Sequence, residues 1–311
     1  MNLLKHSKIY LLVAGLVIVL SVVIWGARGL NYGVDFTGGT NIRYPLTEPV
    51  TSLEVVDALE TPQLEELDLR PAPPQPYDYI DSTGRQRYGV LVHTRFLTPE
   101  EQEQVVGALE GAFGPAGEHT GLEIYGVDPL IGREVLINAL YALLIAGVLI
   151  LGYIAFRFEF KSGVAGLLAL VHDVLFVIGI FALLQREVNG TFVAALLTII
   201  GYSINDSIVL FDRIRENLRY RKKGEAFDQT VNLSILQTMR RSLNTSVTTV
   251  VMVLLLYLVG SPSIREFCLA LIIGITVGTY SSLFIASAFW AFWKNLEEKN
   301  KRRRTAAAGA R

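Results

Sequence analysis

Charge is scarce in this chain, and cysteine scarcer. Asp, Glu, Lys and Arg make up 18% of 311 residues while 51% are hydrophobic, and the mean hydropathy is +0.40. That balance is too apolar for an ordinary water-soluble protein and points to the membrane class. The single cysteine, Cys268, lies in an apolar stretch, which excludes an intrachain disulfide and leaves no thiol pair for a metal or redox centre. His93 and His119 stand alone, and no grouping of nucleophile, histidine and carboxylate can be picked out, so neither an enzyme nor a metal or cofactor site is expected. Gly38-Gly39 is not followed by the Gly-Lys-Ser/Thr ending of a phosphate loop, which argues against nucleotide binding. Lysine is missing altogether from residues 27–132, where 17 Asp or Glu stand against 6 Arg.

What the chain has instead is long apolar runs. A bilayer crossing needs about 20 helical residues, and six segments qualify: Ile9 to Trp25, Val135 to Phe156, Gly163 to Leu184, Thr191 to Phe211, Leu243 to Gly260 and Phe267 to Trp293. The first follows Lys5 and Lys8 but has no small-x-small cleavage site at its end, Ile24-Trp25-Gly26, so it reads as an uncleaved anchor. Basic residues cluster at Lys5 and Lys8, at Arg157 and Lys161, from Arg213 to Lys223, and from Lys294 to Arg304. The positive-inside rule makes these the cytoplasmic sides, with both termini inside. The expected division is 1–26 for the N-terminus and first helix, 27–132 for an acidic extracytoplasmic domain, 133–293 for helices two to six, and 294–311 for a basic cytoplasmic tail.

Within 27–132 the patterning predicts strand Asp35 to Tyr44, helix Ser52 to Glu60, a weak strand around Leu67 to Arg70, strand Tyr88 to Thr94, helix Pro99 to Phe113 and strand Leu122 to Val127. Thr98 with Glu101 three residues on is a capping box, and the order βαββαβ is the split βαβ, ferredoxin-like plan. The proline-rich run Arg70 to Pro76 is expected to be an extended loop. The expected fold is therefore a membrane α-helical bundle with an α+β domain between its first two helices. Gly38 and Gly39, with Gly132 on the return, read either as a bulge or close approach where the strand leaves the membrane, or as a hinge on which the domain tilts.

Polar residues inside the apolar runs are the functional candidates. A carboxylate at the centre of a membrane helix costs roughly 2.5–3.5 kcal/mol on insertion scales, so it faces a partner and is kept for a task. Asp206 is the first such group. Thr198, Tyr202, Asn205 and Asp206 recur at helical spacing in the fourth run, as do Arg241, Thr245, Thr248 and Thr249 in the fifth. A buried Arg241 opposite a buried Asp206 is the expected pairing, either a proton relay or a static salt bridge. His172-Asp173 adds a second intramembrane carboxylate beside a group that titrates near neutrality; it either serves the relay or fixes helix packing. The basic run after Asp212 suits a helix end facing anionic lipid, and without regularly spaced aromatic residues it does not suggest nucleic acid.

Four stretches together resemble the SecD/SecF protein-export family of the resistance-nodulation-division superfamily, with the SecF subunit type as the match: Gly33-Val34-Asp35-Phe36-Thr37-Gly38-Gly39-Thr40; the His172-Asp173 helix; Gly201-Tyr202-Ser203-Ile204-Asn205-Asp206-Ser207 running on to Asp212-Arg213-Ile214-Arg215-Glu216-Asn217; and Asn232 through Ser234, Gln237, Thr238, Arg241 and Thr245 to Ser246. The chain departs from the family at Val127-Asp128-Pro129, where Gly usually precedes the Pro. The resemblance implies a bacterial cytoplasmic-membrane protein that pairs with SecD beside the SecYEG channel and uses the proton motive force to draw unfolded preprotein outward. The site residues would then be Asp206, Arg241 and Asn205, with His172, Asp173 and Thr245 in support. A proton is preferred to sodium as the coupling ion because Arg241 would repel a bound cation. The alternatives are a half-transporter for a lipid or small solute, and a scaffold of the channel that transports nothing.

Overall fold

The computed structural model describes residues 3–60, 72–80, 85–115, 122–157, 159–221 and 225–308. Six helical segments are long and apolar enough to cross a membrane: Leu3–Arg28, Pro129–Ile154, Phe160–Leu184, Gly190–Arg219, Phe227–Val259 and Pro262–Glu297. In chain order the helix α1 is Ser7–Arg28, followed by β1 (Asn31–Tyr32), the single turn α2 (Val34–Thr37), β2 (Gly39–Leu46), α3 (Ser52–Leu59), β3 (Ala72–Ile80), β4 (Gln86–Thr94), α4 (Pro99–Phe113) and β5 (Glu123–Val127). The bundle resumes with α5 (Pro129–Arg157), α6 (Phe160–Leu184), β6 (Glu187–Val188), α7 (Gly190–Arg219), α8 (Phe227–Val259), α9 (Arg265–Tyr280), a π-helical turn Ser281–Ala286, and α10 (Ser287–Ala308).

The domain between α1 and α5 is a four-stranded sheet in the order β3-β4-β2-β5, with every neighbouring pair antiparallel. One face is covered by α3 and α4. Ile42, Tyr44, Val90 and Val92 from the sheet meet Val55, Leu59, Val105 and Leu109 from the helices, all at 4% exposure or less. Burying each such side chain is worth about 1.5–3 kcal/mol, enough to give the domain its own core. Both helices start on capping boxes. Thr98 N–H donates to Glu101 Oε2 at 2.7 Å while Thr98 Oγ1 accepts from Glu101 N–H, and Thr51 and Glu54 repeat the arrangement.

Two expectations change here. Ala72–Ile80, which includes most of the proline-rich run, is a strand and not a loop. It lies at the sheet edge and its register shifts between Ala72 and Gln75, and an edge with a bulge is where prolines, lacking the N–H, are tolerated. The weak strand expected around Leu67 to Arg70 falls outside the described residues. The first strand also starts later than expected. Val34–Thr37 is a helical turn, closed by Thr37 N–H donating to the Gly33 carbonyl, and the strand begins only at Gly39.

Asp128, at the family departure, accepts the Leu130 N–H at 2.8 Å and so caps the start of α5. Asn189 does the same for α7, accepting from Phe192 N–H at 3.1 Å. The last span is the most enclosed of the six, and the window of Pro129–Ile154 is the least. The centre of the bundle is therefore α6, α7 and α9, with α5 at its rim. Gly274 allows α9 to touch α7: a Cβ there would meet Ile199 Cδ1 at 2.3 Å. Small residues at helix contacts are how membrane helices approach closely.

Candidate functional site

A polar network fills the bundle centre, and Asp173 is its hub. Asp173 is fully buried. Its Oδ2 accepts hydrogen bonds from Ser203 Oγ and Ser281 Oγ, each at 2.7 Å, and its Oδ1 lies 3.1 Å from His172 Nδ1. Ser282 Oγ donates to the Ser203 carbonyl at 2.9 Å and sits 3.2 Å from Ser203 Oγ. Three elements thus converge on one carboxylate: α6 with Asp173, α7 with Ser203 and the π turn with Ser281 and Ser282. A π turn carries one extra residue, which rotates the following face and is common at functional sites. Here it starts at Ser281, the residue that reaches Asp173. Sequence patterning read Phe267 to Trp293 as one apolar crossing and overlooked Ser281 and Ser282; their adjacency just after Gly278-Thr279 was the available signal.

Asp206 stands to one side of this hub, between α7 and α8. The two helices are antiparallel and joined by a ladder: Tyr202 OH to Thr249 Oγ1 at 2.8 Å, Arg213 Nε to Gln237 Oε1 at 2.7 Å, and Asn217 Nδ2 to Ser234 Oγ at 2.8 Å. In that register Asp206 is level with Asn244 and Thr245, and the side chain that approaches it is that of Ser242, less than one turn earlier in α8. Ser242 is 1% exposed and its hydroxyl faces the Asp206 carboxyl without a hydrogen bond of ordinary geometry, so Oγ is left unpartnered. Arg241 is one residue, about 100° of helix, away from Ser242 and turns outward. The expected buried ion pair is therefore absent among the described residues. Asp206 is half-buried, Arg241 is exposed, and Arg241 acts on Asp206 only through space. Asn205 and Thr245 are exposed as well, and Thr245 Oγ1 is turned back to the Arg241 carbonyl at 3.0 Å.

The exposed positions form a pattern. Thr198, Gly201 and Asn205 share one face of α7, and Arg241, Asn244, Thr245 and Thr248 share one face of α8, all uncovered. Both stripes belong to spans long and apolar enough to cross a membrane. Lipid penalises such groups, so a stripe of this kind faces protein or a water-filled path.

The third group of candidates, the glycines, is a steric lock between the α+β domain and α5. Gly38 has φ +72°, and a Cβ on it would fall 2.4 Å from Pro129 Cα. Gly39 has φ +131°, and a Cβ there would fall 2.4 Å from the Thr94 carbonyl oxygen. Gly132 sits against the same turn, where a Cβ would lie 2.8 Å from Gly38 N. This is the close approach of the first reading. A second contact joins the domain base to α7. β1 pairs with β6 in parallel, Gly33 N–H donates to the Val188 carbonyl, and Gly190 N–H donates to Asp35 Oδ2 at 2.7 Å. Glu187 is buried beneath this bridge, and desolvation pushes its carboxyl above the ordinary range, with Asp35 and Glu266 adding to the push and Arg43 and Asn41 opposing it. A third contact is polar: Arg43 donates to Glu123 at 2.7 Å and to Ser263 Oγ, in the α8–α9 loop, at 2.6 Å.

Comparison with known proteins now places these features. The family described as protein export membrane protein SecD/SecF, C-terminal, matches residues 113–296, and the SecD/SecF GG motif matches residues 23–50, which contain Gly38-Gly39. The chain belongs to the SecD/SecF protein-export family. It is 37% identical over 310 residues to the protein translocase subunit SecF of Alicyclobacillus acidocaldarius, covering 99% of this chain and 97% of that one. It is 35% identical over 297 residues to the protein translocase subunit SecDF of Bacillus subtilis, covering 95% of this chain but 38% of that protein. The crystal structure of SecDF, a translocon-associated membrane protein from Thermus thermophilus, superposes with a TM-score of 0.81 at 35% identity, over 95% of this chain and 39% of that one. SecD/SecF relatives thus occur both as separate subunits the length of this chain and as longer fused chains of which it matches a part.

Proposed function

We propose that this chain is a SecF-type subunit of a protein translocase that works with a SecD-like partner in the bacterial cytoplasmic membrane, using the proton motive force at the later stage of preprotein export beside a SecYEG-type channel. The observation that carries the reading is the uncovered polar face of α7 and α8 with Asp206 at its edge. A second, homologous helix bundle laid on that face would remove Asn205, Arg241 and Thr245 from lipid and enclose Asp206. The fused SecDF relatives, of which this chain matches 38% or 39%, fit the same picture.

In this reading the proton is taken up from outside by Asp206, with Arg241 setting its affinity through space and Asn205 and Thr245 lining the path. Moving one charge through the field is worth about 2.3 kcal/mol per 100 mV, enough to bias a two-state bundle by a few kcal/mol. Asp173 and His172 hold the packing against which α7 moves. In the same reading both termini are cytoplasmic, which the basic helix ends support, and residues 27–132 lie outside as a ferredoxin-like domain, which the βαββαβ order and the β3-β4-β2-β5 sheet support. Its work is transport, and no step needs a cofactor.

Export into inverted membrane vesicles that carry Asp206→Asn, with ATP fixed and the proton gradient switched on or off, tests the reading. Asn keeps hydrogen bonding but cannot cycle a proton, so the gradient-dependent part of export should vanish while the partner still co-purifies. An unchanged gradient response refutes the proton role and leaves the scaffold.

A further inference from the structure

We infer that Asn41 and Glu187 form a proton-binding acid–amide pair whose proton decides whether the α+β domain stays docked on the start of α7. Asn41 stands on β2 and Glu187 on β6, and both are buried, at 8% and 7% exposure. Asn41 Nδ2 donates to Glu187 Oε1 at 3.4 Å, while the buried Asn41 Oδ1 has no donor among the described residues. An ionised carboxylate is acceptor-only, so it can answer the amide N–H but never the amide oxygen. A protonated one supplies the missing O–H, and acid and amide then each give one hydrogen bond and take one. A buried acceptor left unpaired is costly, so the pair is complete only with the proton on it.

The surroundings act in the same direction. A Cβ on Gly33 would fall 2.3 Å from Glu187 Oε1, so the chain entering α2 lies against the carboxyl where an ionised group would take water. Burial favours the neutral form most; Arg43 from β2 and the Asn41 amide oppose it, and Asp35 from α2 and Glu266 from α9 add to it. Arg43 is already engaged by Glu123 and Ser263, and Glu266 by Arg186, with Arg265 beside it. Tyr125 faces Asp35, and His93 is the cross-strand neighbour of Asn41. Glu187 is paired with Asn31 in the β1–β6 bridge, three residues before Gly190. When its proton passes to solvent, the carboxylate must be hydrated, and the bridge and the Asp35–Gly190 bond open with it. The inference rests only on this contact. In the proposed orientation the pair would also read the acid side of the gradient that Asp206 uses.

The test is hydrogen exchange of the full chain in lipid nanodiscs from pH 5 to 9, corrected for the intrinsic pH dependence of exchange and read at the Gly33 and Gly190 amides. Protection in the parent should fall at least tenfold as pH rises. Glu187→Gln, whose amide N–H supplies the missing donor, should hold the acid-side protection throughout, and the infrared difference between parent and this variant at pH 5 should contain a carboxylic-acid carbonyl band. Asn41→Asp makes two acids share one proton and should move the midpoint up by about one pH unit or more. His93→Gln should leave the fall in place. Protection independent of pH in the parent, the same fall in Glu187→Gln, loss of the fall in His93→Gln, or no such carbonyl band overturns the inference.

Discussion

Asp35 reaches across from the base of the α+β domain to the first turn of α7, where its Oδ2 accepts the Gly190 N–H at 2.7 Å. The helix that begins at this contact is the one that carries Ser203 and Asp206. A carboxylate on a helix N-terminus satisfies a free donor and meets the positive end of the dipole. The α+β domain and the helix that carries Asp206 are therefore joined directly, by this bond beside the β1–β6 pairing, and not through a flexible linker.

Removing that carboxylate should loosen the joint. Asp35→Ala is expected to cost about 1 kcal/mol, by analogy with the loss of an N-cap, and Asp35→Asn less, since it keeps an acceptor. Hydrogen exchange at the Gly190 amide checks this. Protection that is unchanged in Asp35→Ala means the bond does not hold the helix end.

Glu187 should make the same joint sensitive to pH. Burial raises its carboxyl above the ordinary value of 4.5, so the folded state binds the proton more tightly than the unfolded chain. Its favourable contribution is present below the unfolded value and is lost as pH rises through the folded one. Glu187→Gln should therefore raise the melting temperature at neutral pH and flatten its fall from acid to neutral. A variant that melts lower at pH 7 than the parent would reverse the sign.

Glu101 runs the other way. The Arg95 guanidinium, first, and the Thr98 amide hold its carboxyl down to about 2. Its contribution is present above the unfolded value near 4.5 and lost as pH falls towards 2. Carbon-detected NMR titration should find a midpoint near 2, moved back towards the ordinary range by Arg95→Gln. A Glu101 midpoint of 4 or more in the parent removes the capping argument.

The two glycines of the lock should separate by context. A Cβ on Gly39 strikes the Thr94 carbonyl inside the α+β domain, whereas one on Gly38 strikes Pro129, the first residue of α5. Gly39→Val should lower the melting temperature of a soluble Asn31 to Asp128 fragment, while Gly38→Val should show its larger effect in the full chain. Equal damage to the fragment by both would mean that the positive φ, common to both, is what matters.

How legible all this was in the sequence depended on range. The α4 capping box and the apolar crossings are local signals: Thr98 and Glu101 are three residues apart, and α4 begins and ends at the expected residues, Pro99 and Phe113. The strand Ala72–Ile80 was hidden because its prolines argue against a central strand and say nothing against an edge, and which strand is the edge is set by pairing with β4. The Asp206–Arg241 pairing failed for a similar reason. Both residues sit on the expected helices, but the facing position on α8 is fixed by a ladder that runs from Tyr202–Thr249 to Asn217–Ser234, and periodicity within one helix does not contain it. Asp173 was found as a carboxylate in an apolar run; its partners Ser203 and Ser281 come from 30 and 108 residues away.

That ladder carries a mechanical consequence. Ser242 and Arg241 are adjacent in sequence and about 100° apart around α8, and the first faces Asp206 while the second does not. Turning α8 about its own axis by roughly that angle, with no slide along it, exchanges a neutral hydroxyl for a guanidinium at the same carboxylate. On the proposed reading α8 would work as a two-position selector, its angular setting deciding which of the two side chains faces Asp206.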